Sequence, residues 1–392
     1  MKISLSNNKK ELFLALDIGT ESIKSLIFRI ENKKPIILGA DLKEYYYLGV
    51  SDGRAFDKGA MREVIAEVVA RAREQANIKK GKLRTIIGFS GNVLKEKVFR
   101  QSIERRNPEK TISDKEEKEI YQKIFTEARD EIAKENFQRT GITPKDLHFL
   151  DFKINEIKID GFEVENLAGF TGKNIEFEAL YIFLPANYLS IGKRIGKELN
   201  LDSLAMASKA ENLTIALPDP KATGIFLDIG GETTQIILLE EGKIKMVDNF
   251  DTGGNIFSQK LARDLGISQA HAEELKLKYS QKTLSEEVRS RVREVLLVGG
   301  QLWINSLKLR LRDFLSAEKK IFPPKIFIFG GGSLLPEIEE ILTGDNWEEI
   351  PFLSRPETMV LLPKDLKPFN DLSKKANSPQ YTSTLLLCYP NG

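Results

Sequence analysis

The sequence predicts an α/β protein of two related lobes, with a smaller α+β segment inserted into the first. Three observations carry this. Residues 226–239, FLDIGGETTQIILL, read as an apolar strand, a glycine turn opened by Asp228, and a second apolar strand. Residues 14–28, LALDIGTESIKSLIF, repeat the pattern, so that Leu16, Asp17, Ile18, Gly19 and Glu21 align with Leu227, Asp228, Ile229, Gly230 and Glu232. Between the two copies, residues 101–146 turn abruptly to charge-dominated sequence, which marks a separate unit.

After the first hairpin, residues 35–48 continue as a strand-like meander. Met61, Ile65, Val68, Val69 and Ala72 then recur at helical spacing and predict a core-facing helix over 58–76. Residues 83–94 read as a buried strand ending in a glycine turn. Ser113 followed by Glu116 predicts a capping box, and Ile120, Ile124, Ala128 and Ile132 give the helix it opens a narrow apolar stripe. Strands broken by Asp160-Gly161, Gly169 and Gly172 fill 147–184, and 191–199 form a helix closed near Asn200. A short strand and a helix lie within 202–217. Beyond the second hairpin, Gly253 and Gly254 make a further turn before a helix starting near Ser258. Val288, Val292, Val295, Leu302, Leu307, Leu311 and Phe314 run through a long amphipathic helix that ends before Pro323. Residues 326–329 form a buried strand running into Gly330, Gly331 and Gly332, with a helix behind, and the closing PQYTSTLLL reads as a strand. The expected boundaries are 1–86 and 185–221 for the first lobe, 87–184 for the insertion, and 222–392 for the second lobe with a helical part at 258–324.

Bulk composition narrows the function classes. A chain of 392 residues exceeds one compact core. Lys and Arg total 59 against 57 Asp and Glu, so no global field draws the protein to nucleic acid or anionic lipid. The single cysteine, Cys388, excludes an internal disulfide and a cysteine-based zinc cage. No apolar run approaches the roughly 18 residues that a membrane span needs. A cytoplasmic protein is expected.

The paired turns point to phosphate. Glycine-rich turns let successive backbone N–H groups converge on anionic oxygens, and an aspartate at the strand end can hold the waters of a Mg²⁺ ion. Asp17 and Asp228 are the candidates for the metal. Thr20 and Ser22 add hydroxyls, and Lys24 adds a positive charge beside the first turn. The plainer alternative is a pair of ordinary hairpins whose aspartates cap turns. Gly330, Gly331 and Gly332, between a strand and a helix, make a seat for a flat ring or an anion. Glu273 and Lys276, one helical turn apart, taken alone read as a surface pair.

The order of these motifs resembles the actin, Hsp70 and sugar-kinase superfamily, whose fold is two duplicated ribonuclease H-like lobes closing on ATP. DIGTESIK is similar to its first phosphate motif, DIGGETTQ to its second, and IFIFGGGSLLP to its adenosine motif. Within it, GFSGNVL, the stretch IKIDGFEVENLAGFTGKNIEFEALYIFLP and AEELKLKY resemble the FtsA family of bacterial cell-division proteins, whose inserted subdomain is called SHS2 or 1C. The PilM family of type IV pilus platform proteins shares the architecture. The resemblance implies that Asp17 and Asp228 face Mg²⁺. It places Gly19, Thr20, Ser22 and Lys24 on the phosphates from one lobe, and Gly230, Gly231, Thr233 and Thr234 from the other, with Gly253 and Gly254 beside them. Glu273 and Lys276 approach the ribose and adenine, and Gly331, Gly332 and Ser333 border the base.

Two departures weaken turnover. Where FtsA-like second motifs carry a further glycine and a closing aspartate, this chain has Glu232 and Gln235, and the PilM pattern also lacks an acid at the latter. Glu211, in MASKAENL, is nominated as a water-orienting catalytic acid. The expected function is therefore an ATP-binding, self-associating scaffold of cell division with at most weak ATPase activity, linking FtsZ to the division machinery. The alternatives are a pilus platform that contacts inner-membrane pilus proteins and, behind it, a small-molecule kinase. No membrane-targeting amphipathic helix follows the last motif in this sequence, so membrane contact is expected to be peripheral or through a partner, at the inner face of the cell membrane.

Overall fold

The computed structural model describes residues 11–45, 59–79, 81–91, 93–199, 201–318, 320–344 and 347–389. Leu48, at the end of the expected meander, and Asn200, the expected helix stop, lie outside them. Residues 93–190 form one compact unit, and the described parts of 2–92 and 191–392 form another.

The larger unit is built from two sheets with the same core order. In the first, β1 (Phe13–Ile18), β2 (Ser22–Glu31) and β3 (Lys34–Glu44) run antiparallel, and β4 (Arg84–Phe89) and β9 (Asp202–Met206) add in parallel on the other side of β1. β15 (Asn370–Asp371) extends the edge next to β3, giving the order β15-β3-β2-β1-β4-β9. The second sheet repeats this as β12-β11-β10-β13-β14, from β10 (Gly224–Ile229), β11 (Thr234–Glu240), β12 (Lys243–Phe250), β13 (Lys325–Phe329) and β14 (Glu357–Val360). β1 and β10 are therefore equivalent central strands. Each is flanked by an antiparallel and a parallel neighbour and is apolar on both faces except for one aspartate near its end, as burial on both faces requires.

Helices cover these sheets. α1 (Gly59–Gln75) connects β3 to β4, and its Met61, Ile65, Val68 and Ala72 are buried. α3 (Ala186–Glu198) leads into β9, and α4 (Lys209–Ala216) leads out of it toward β10. In the second lobe α5 (Asn255–Leu265), α6 (Gln269–Ser280) and α7 (Glu286–Glu318) intervene between β12 and β13, and α8 (Pro336–Gly344) follows β13. The core there surrounds Trp303 on α7, fully buried against Phe250, Phe257 and Leu296. Phe226 and Phe327 stack across the β10–β13 pair at 4.5 Å.

The expected C-terminal strand is instead helical: a 3-10 turn at Pro379–Tyr381 and α9 (Thr382–Leu386), packed against α4 and β1. A short apolar run does not distinguish a strand from a buried helix by periodicity alone. The hydroxyls tie this helix to its neighbours: Thr382 Oγ1 donates to Leu361 O at 2.9 Å and Thr384 Oγ1 to Asp17 Oδ2 at 3.3 Å.

The smaller unit is a four-stranded sheet, β5-β8-β6-β7, formed by β5 (Lys95–Glu104), β6 (Leu147–Ile159), β7 (Phe162–Glu163) and β8 (Asn174–Pro185), with α2 (Asp114–Thr140) as its helix. The stripe of Ile120, Ile124, Ala128 and Ile132 is buried together with Ala133, Tyr121 and Phe125 pack partly buried beside it, and the opposite face of α2 is charged and solvated. Only half of the capping box forms. Glu116 N donates to Ser113 Oγ at 3.2 Å, but the Glu116 carboxylate turns to the buried Arg105 guanidinium, at 2.9 and 3.1 Å. A bidentate, charge-assisted pair outcompetes a single reach back to the cap N–H.

Candidate functional site

The two hairpin turns face each other across one cleft of about 1210 Å³, counting its open mouth. Each turn is closed the same way, with Gly19 N donating to Ser22 O at 3.1 Å and Gly230 N to Thr233 O at 2.9 Å. In the β1–β2 register Asp17 sits opposite Lys24, and in β10–β11 Asp228 sits opposite Gln235. All four line the cleft, as do Gly19, Thr20 and Ser22 on one side and Gly230, Gly231 and Thr233 on the other. The turns also touch directly, since Glu232 N donates to Thr20 Oγ1 at 3.0 Å. Part of Thr20's acceptor capacity thus goes to the opposite turn.

The Gly253-Gly254 loop supports the second turn from behind. Gly254 N and Asn255 N donate to Gly230 O and Gly231 O, both at 2.8 Å. Gly254 lines the cleft and Gly253 does not. A Cβ on Gly253 would come within 2.4 Å of Gly230 O, so that glycine serves close backbone approach. Glu273 and Lys276 are a buried pair, 2.7 Å apart, at the cleft wall. Lys276 Nζ donates to Gly254 O at 3.1 Å, and Ser258 Oγ donates to Glu273. At the far edge, Gly330 (φ +87°), Gly331 and Gly332 border the cleft, with open space beyond the Cβ position of Gly331.

Besides Gly253, three residues expected at the site stand apart from the cleft lining. Thr234 points into the second lobe, where its Oγ1 donates to Thr252 O at 2.8 Å and accepts from Trp303 Nε1 at 2.9 Å. Thr233 closes the turn and lines the cleft, whereas Thr234 opens β11 and is buried, so the two do not share a role. Ser333 Oγ donates to Gly330 O at 2.8 Å and ties the turn together. Glu211 is buried on α4 away from the cleft. Two helical positions differ by roughly 200°, and it is Lys209 that faces inward.

Lys209 is the residue that motif reading misses. Ser208 caps α4, accepting from Glu211 N at 2.8 Å, which puts a lysine at the first helical position. A cation there opposes the helix dipole, and that is the signal available in the sequence: such a residue needs anionic partners elsewhere. Its Nζ lies 2.9 Å from Asp17 Oδ1 and 3.5 Å from Asp228 Oδ2, with 10% of its side chain exposed. Asp17 Oδ2 faces Lys24 Nζ at 3.7 Å and accepts from Thr384. Burial works against ionisation of Asp17, but Lys209, then Lys24 and Thr384, overcome it and hold its carboxyl below the ordinary value. Burial likewise opposes the Lys209 charge, and the two aspartates reverse that, raising its pKa.

These donors do not fit a divalent ion seated between Asp17 and Asp228. An ammonium already lies there, and a 2+ ion about 4 Å from it would be repelled by about 8 kcal/mol at an effective dielectric of about 20. Among the described residues no group of three or more His, Cys, Asp or Glu side chains is arranged to hold a metal.

Glu21 is the second unanticipated participant. It lines the cleft and lies against Gly231, where a Cβ would come within 2.3 Å of its Cγ. Burial pushes its carboxyl up to about 7; Lys276 works against this, while Glu273, Glu232 and Glu44 add to it. Glu232 itself does not line the cleft, and burial and Asp251 raise its pKa.

Residues 225–385 match the model of the family described as cell division protein FtsA. The chain is 22% identical to FtsA of Streptococcus pneumoniae over 354 residues, covering 85% of this chain and 73% of that protein. It is 23% identical to FtsA of Pseudomonas aeruginosa over 278 residues (69% and 61%) and 21% identical to FtsA of Helicobacter pylori strain J99 over 292 residues (69% and 56%). Against most of these relatives the match spans little more than half of their length. Among solved structures, the fold is similar to a chain of the PilM–PilN type IV pilus biogenesis complex, with a TM-score of 0.64, 17% identity and coverage of 96% and 97%. It is also similar to the ethanolamine utilization protein EutJ from Carboxydothermus hydrogenoformans, with a TM-score of 0.51, 15% identity and coverage of 99% and 92%. The sequence is thus FtsA-like and the fold is the two-lobed actin-like one. No helix among the described residues is long and apolar enough to cross a membrane.

Proposed function

We propose that this FtsA-like chain with an actin-like fold is an ATP-binding scaffold of bacterial cell division. The observation that supports it best is the meeting of two phosphate-type glycine turns across one cleft, with the buried Glu273–Lys276 pair and the triple glycine at its edge. In this reading the backbone N–H groups of the turns hold the phosphates beside Lys24 and Lys209, Glu273 and Lys276 meet the ribose and adenine, and Gly331 and Gly332 give the base a bare backbone to lie on. Self-association and a link to FtsZ are part of this proposal and are what a resemblance to FtsA implies. Membrane contact is peripheral or through a partner.

Binding is favoured over turnover. Gln235 stands beside Asp228 in place of an acid, Glu211 does not line the cleft, and both cleft aspartates are ion-paired with Lys209. A fluorescent ATP analogue should saturate the wild type, and failure to bind would turn the reading toward a nucleotide-free scaffold. Co-sedimentation with FtsZ of the same organism tests the cell-division role, and its failure alongside binding to a PilN-type partner would move the assignment to a pilus platform, the second reading that Gln235 keeps open.

A further inference from the structure

The centre of the cleft departs from what its fold implies, because a side chain of the protein stands where the two strand-end aspartates converge. Lys209 Nζ reaches both Asp17 Oδ1 and Asp228 Oδ2, at 2.9 and 3.5 Å, so one ammonium ties the central strand of one lobe to that of the other. Asp17 Oδ1 is ion-paired with Lys209 without hydrogen-bond geometry, while Oδ2 accepts from Thr384 and faces Lys24. The lysine has a built seat. Its stem passes over Gly88 of β4, where a Cβ would lie 3.4 Å from Lys209 Cε and 2.9 Å from Leu387 Cδ1. Leu387 follows directly on α9, which also supplies Thr384. A glycine, a helix cap and a C-terminal helix therefore converge to hold this one cation.

Charge balance leads to the same place. Two aspartates with one divalent ion are neutral, and two aspartates with Lys209 and Lys24 are neutral as well. The positive charge that a metal would bring is carried by the chain itself and, unlike a metal, is fixed before any ligand arrives. A triphosphate entering between the turns then meets a site that needs no ion to offset Asp17 and Asp228.

We propose that Lys209 takes the place of a divalent cation in this cleft, so that nucleotide phosphates bind without a metal held at Asp17 and Asp228. This rests on the nucleotide-binding reading above. The test is equilibrium dialysis of radiolabelled ATP against the full chain, once in EDTA and once in Mg²⁺, for the wild type, Lys209→Met and Lys209→Arg, with the fold of each checked by circular dichroism. For the wild type the two dissociation constants should agree within about twofold. Lys209→Met should acquire a preference for Mg²⁺ of about tenfold or more, and Lys209→Arg, which keeps a cation, should not. Mn²⁺ titration followed by electron paramagnetic resonance should find an added ion site in Lys209→Met that the wild type lacks. A wild type that binds ATP only with Mg²⁺ would overturn the inference and leave the nucleotide reading standing. A wild type that binds in neither buffer would overturn the nucleotide reading itself. A folded Lys209→Met that stays indifferent to Mg²⁺ would also count against the role of Lys209. Should that variant not fold, the wild-type comparison in the two buffers still decides.

Discussion

Lys209 and Asp17 face each other at 2.9 Å in a buried cleft, one from the start of a short helix and the other from the end of a central strand. Removing one partner of such a pair strands the other charge away from water. Asp17→Asn should cost about 3 kcal/mol in urea denaturation, with Asp228 retaining part of the lysine's compensation. The pH dependence has a definite sign. The folded Asp17 carboxyl titrates below its ordinary value, so its contribution is fully present above the unfolded carboxylate range of about 4 and is lost as pH falls through the folded value. Asp17→Asn should lack that acid-side loss, and a cost well under 1 kcal/mol would mean the pair is screened by water.

Glu21 predicts a pH dependence for ligand binding. Its carboxyl, pushed up to about 7 by burial against the opposing pull of Lys276, is neutral below that pH and anionic above it. An anionic Glu21 would repel phosphate oxygens, so affinity for ATP should fall as pH rises through 7, by about tenfold between pH 6 and 8 if only the neutral form binds. Glu21→Gln should flatten the profile to the part that comes from titration of ATP itself. An identical profile in the variant would remove Glu21 from the site.

The two hairpins are legible in the sequence because their information is local: an apolar run, an aspartate, a glycine turn and a second run lie within about fifteen residues, and register then follows from pairing. What the sequence hides depends on facing. Thr233 and Thr234 are adjacent and chemically identical, yet only the first meets the cleft, and the buried indole of Trp303, far along the chain, takes the second. Gly253 and Gly254 divide in the same way. Lys209 escapes notice because its partners lie 192 and 19 positions away and no motif links them. The same limit applies to Glu211: it shares α4 with Lys209, and only the lysine lines the cleft.

Thr20 and Glu232 offer a test of coupling between the lobes. The N–H of Glu232 donates to Thr20 Oγ1 at 3.0 Å, joining the two turns without a ligand. Thr20→Val keeps the shape and removes the acceptor, at an expected cost of about 1 kcal/mol to stability. Its larger effect should be on amide exchange. The turns at 19–22 and 230–233 should exchange faster in Thr20→Val, and bound ATP should restore protection in both by spanning them. Unchanged exchange would mean that the turns are held together by the surrounding packing alone.

The adjacent glycines behind the second turn separate a structural requirement from a ligand requirement. A methyl group on Gly253 would sit 2.4 Å from Gly230 O and 2.6 Å from Gly231 O, and backbone atoms cannot swing aside as a side-chain tip can. Gly253→Ala should therefore push the turn out of shape, destabilise the protein by about 1–3 kcal/mol and weaken ATP binding together with it. At Gly254 the nearest atoms to a Cβ are Gly230 O at 3.6 Å, Lys276 Nζ at 3.7 Å and Gly332 Cα at 3.8 Å, all ordinary contacts. Gly254→Ala should fold with wild-type stability yet lower ATP affinity, because its methyl group projects into the cleft between Lys276 and the triple glycine. Paired denaturation and dialysis measurements distinguish the two. Loss of stability in Gly254→Ala, or unaltered affinity in it, would show that this corner of the cleft is not where the ligand lies.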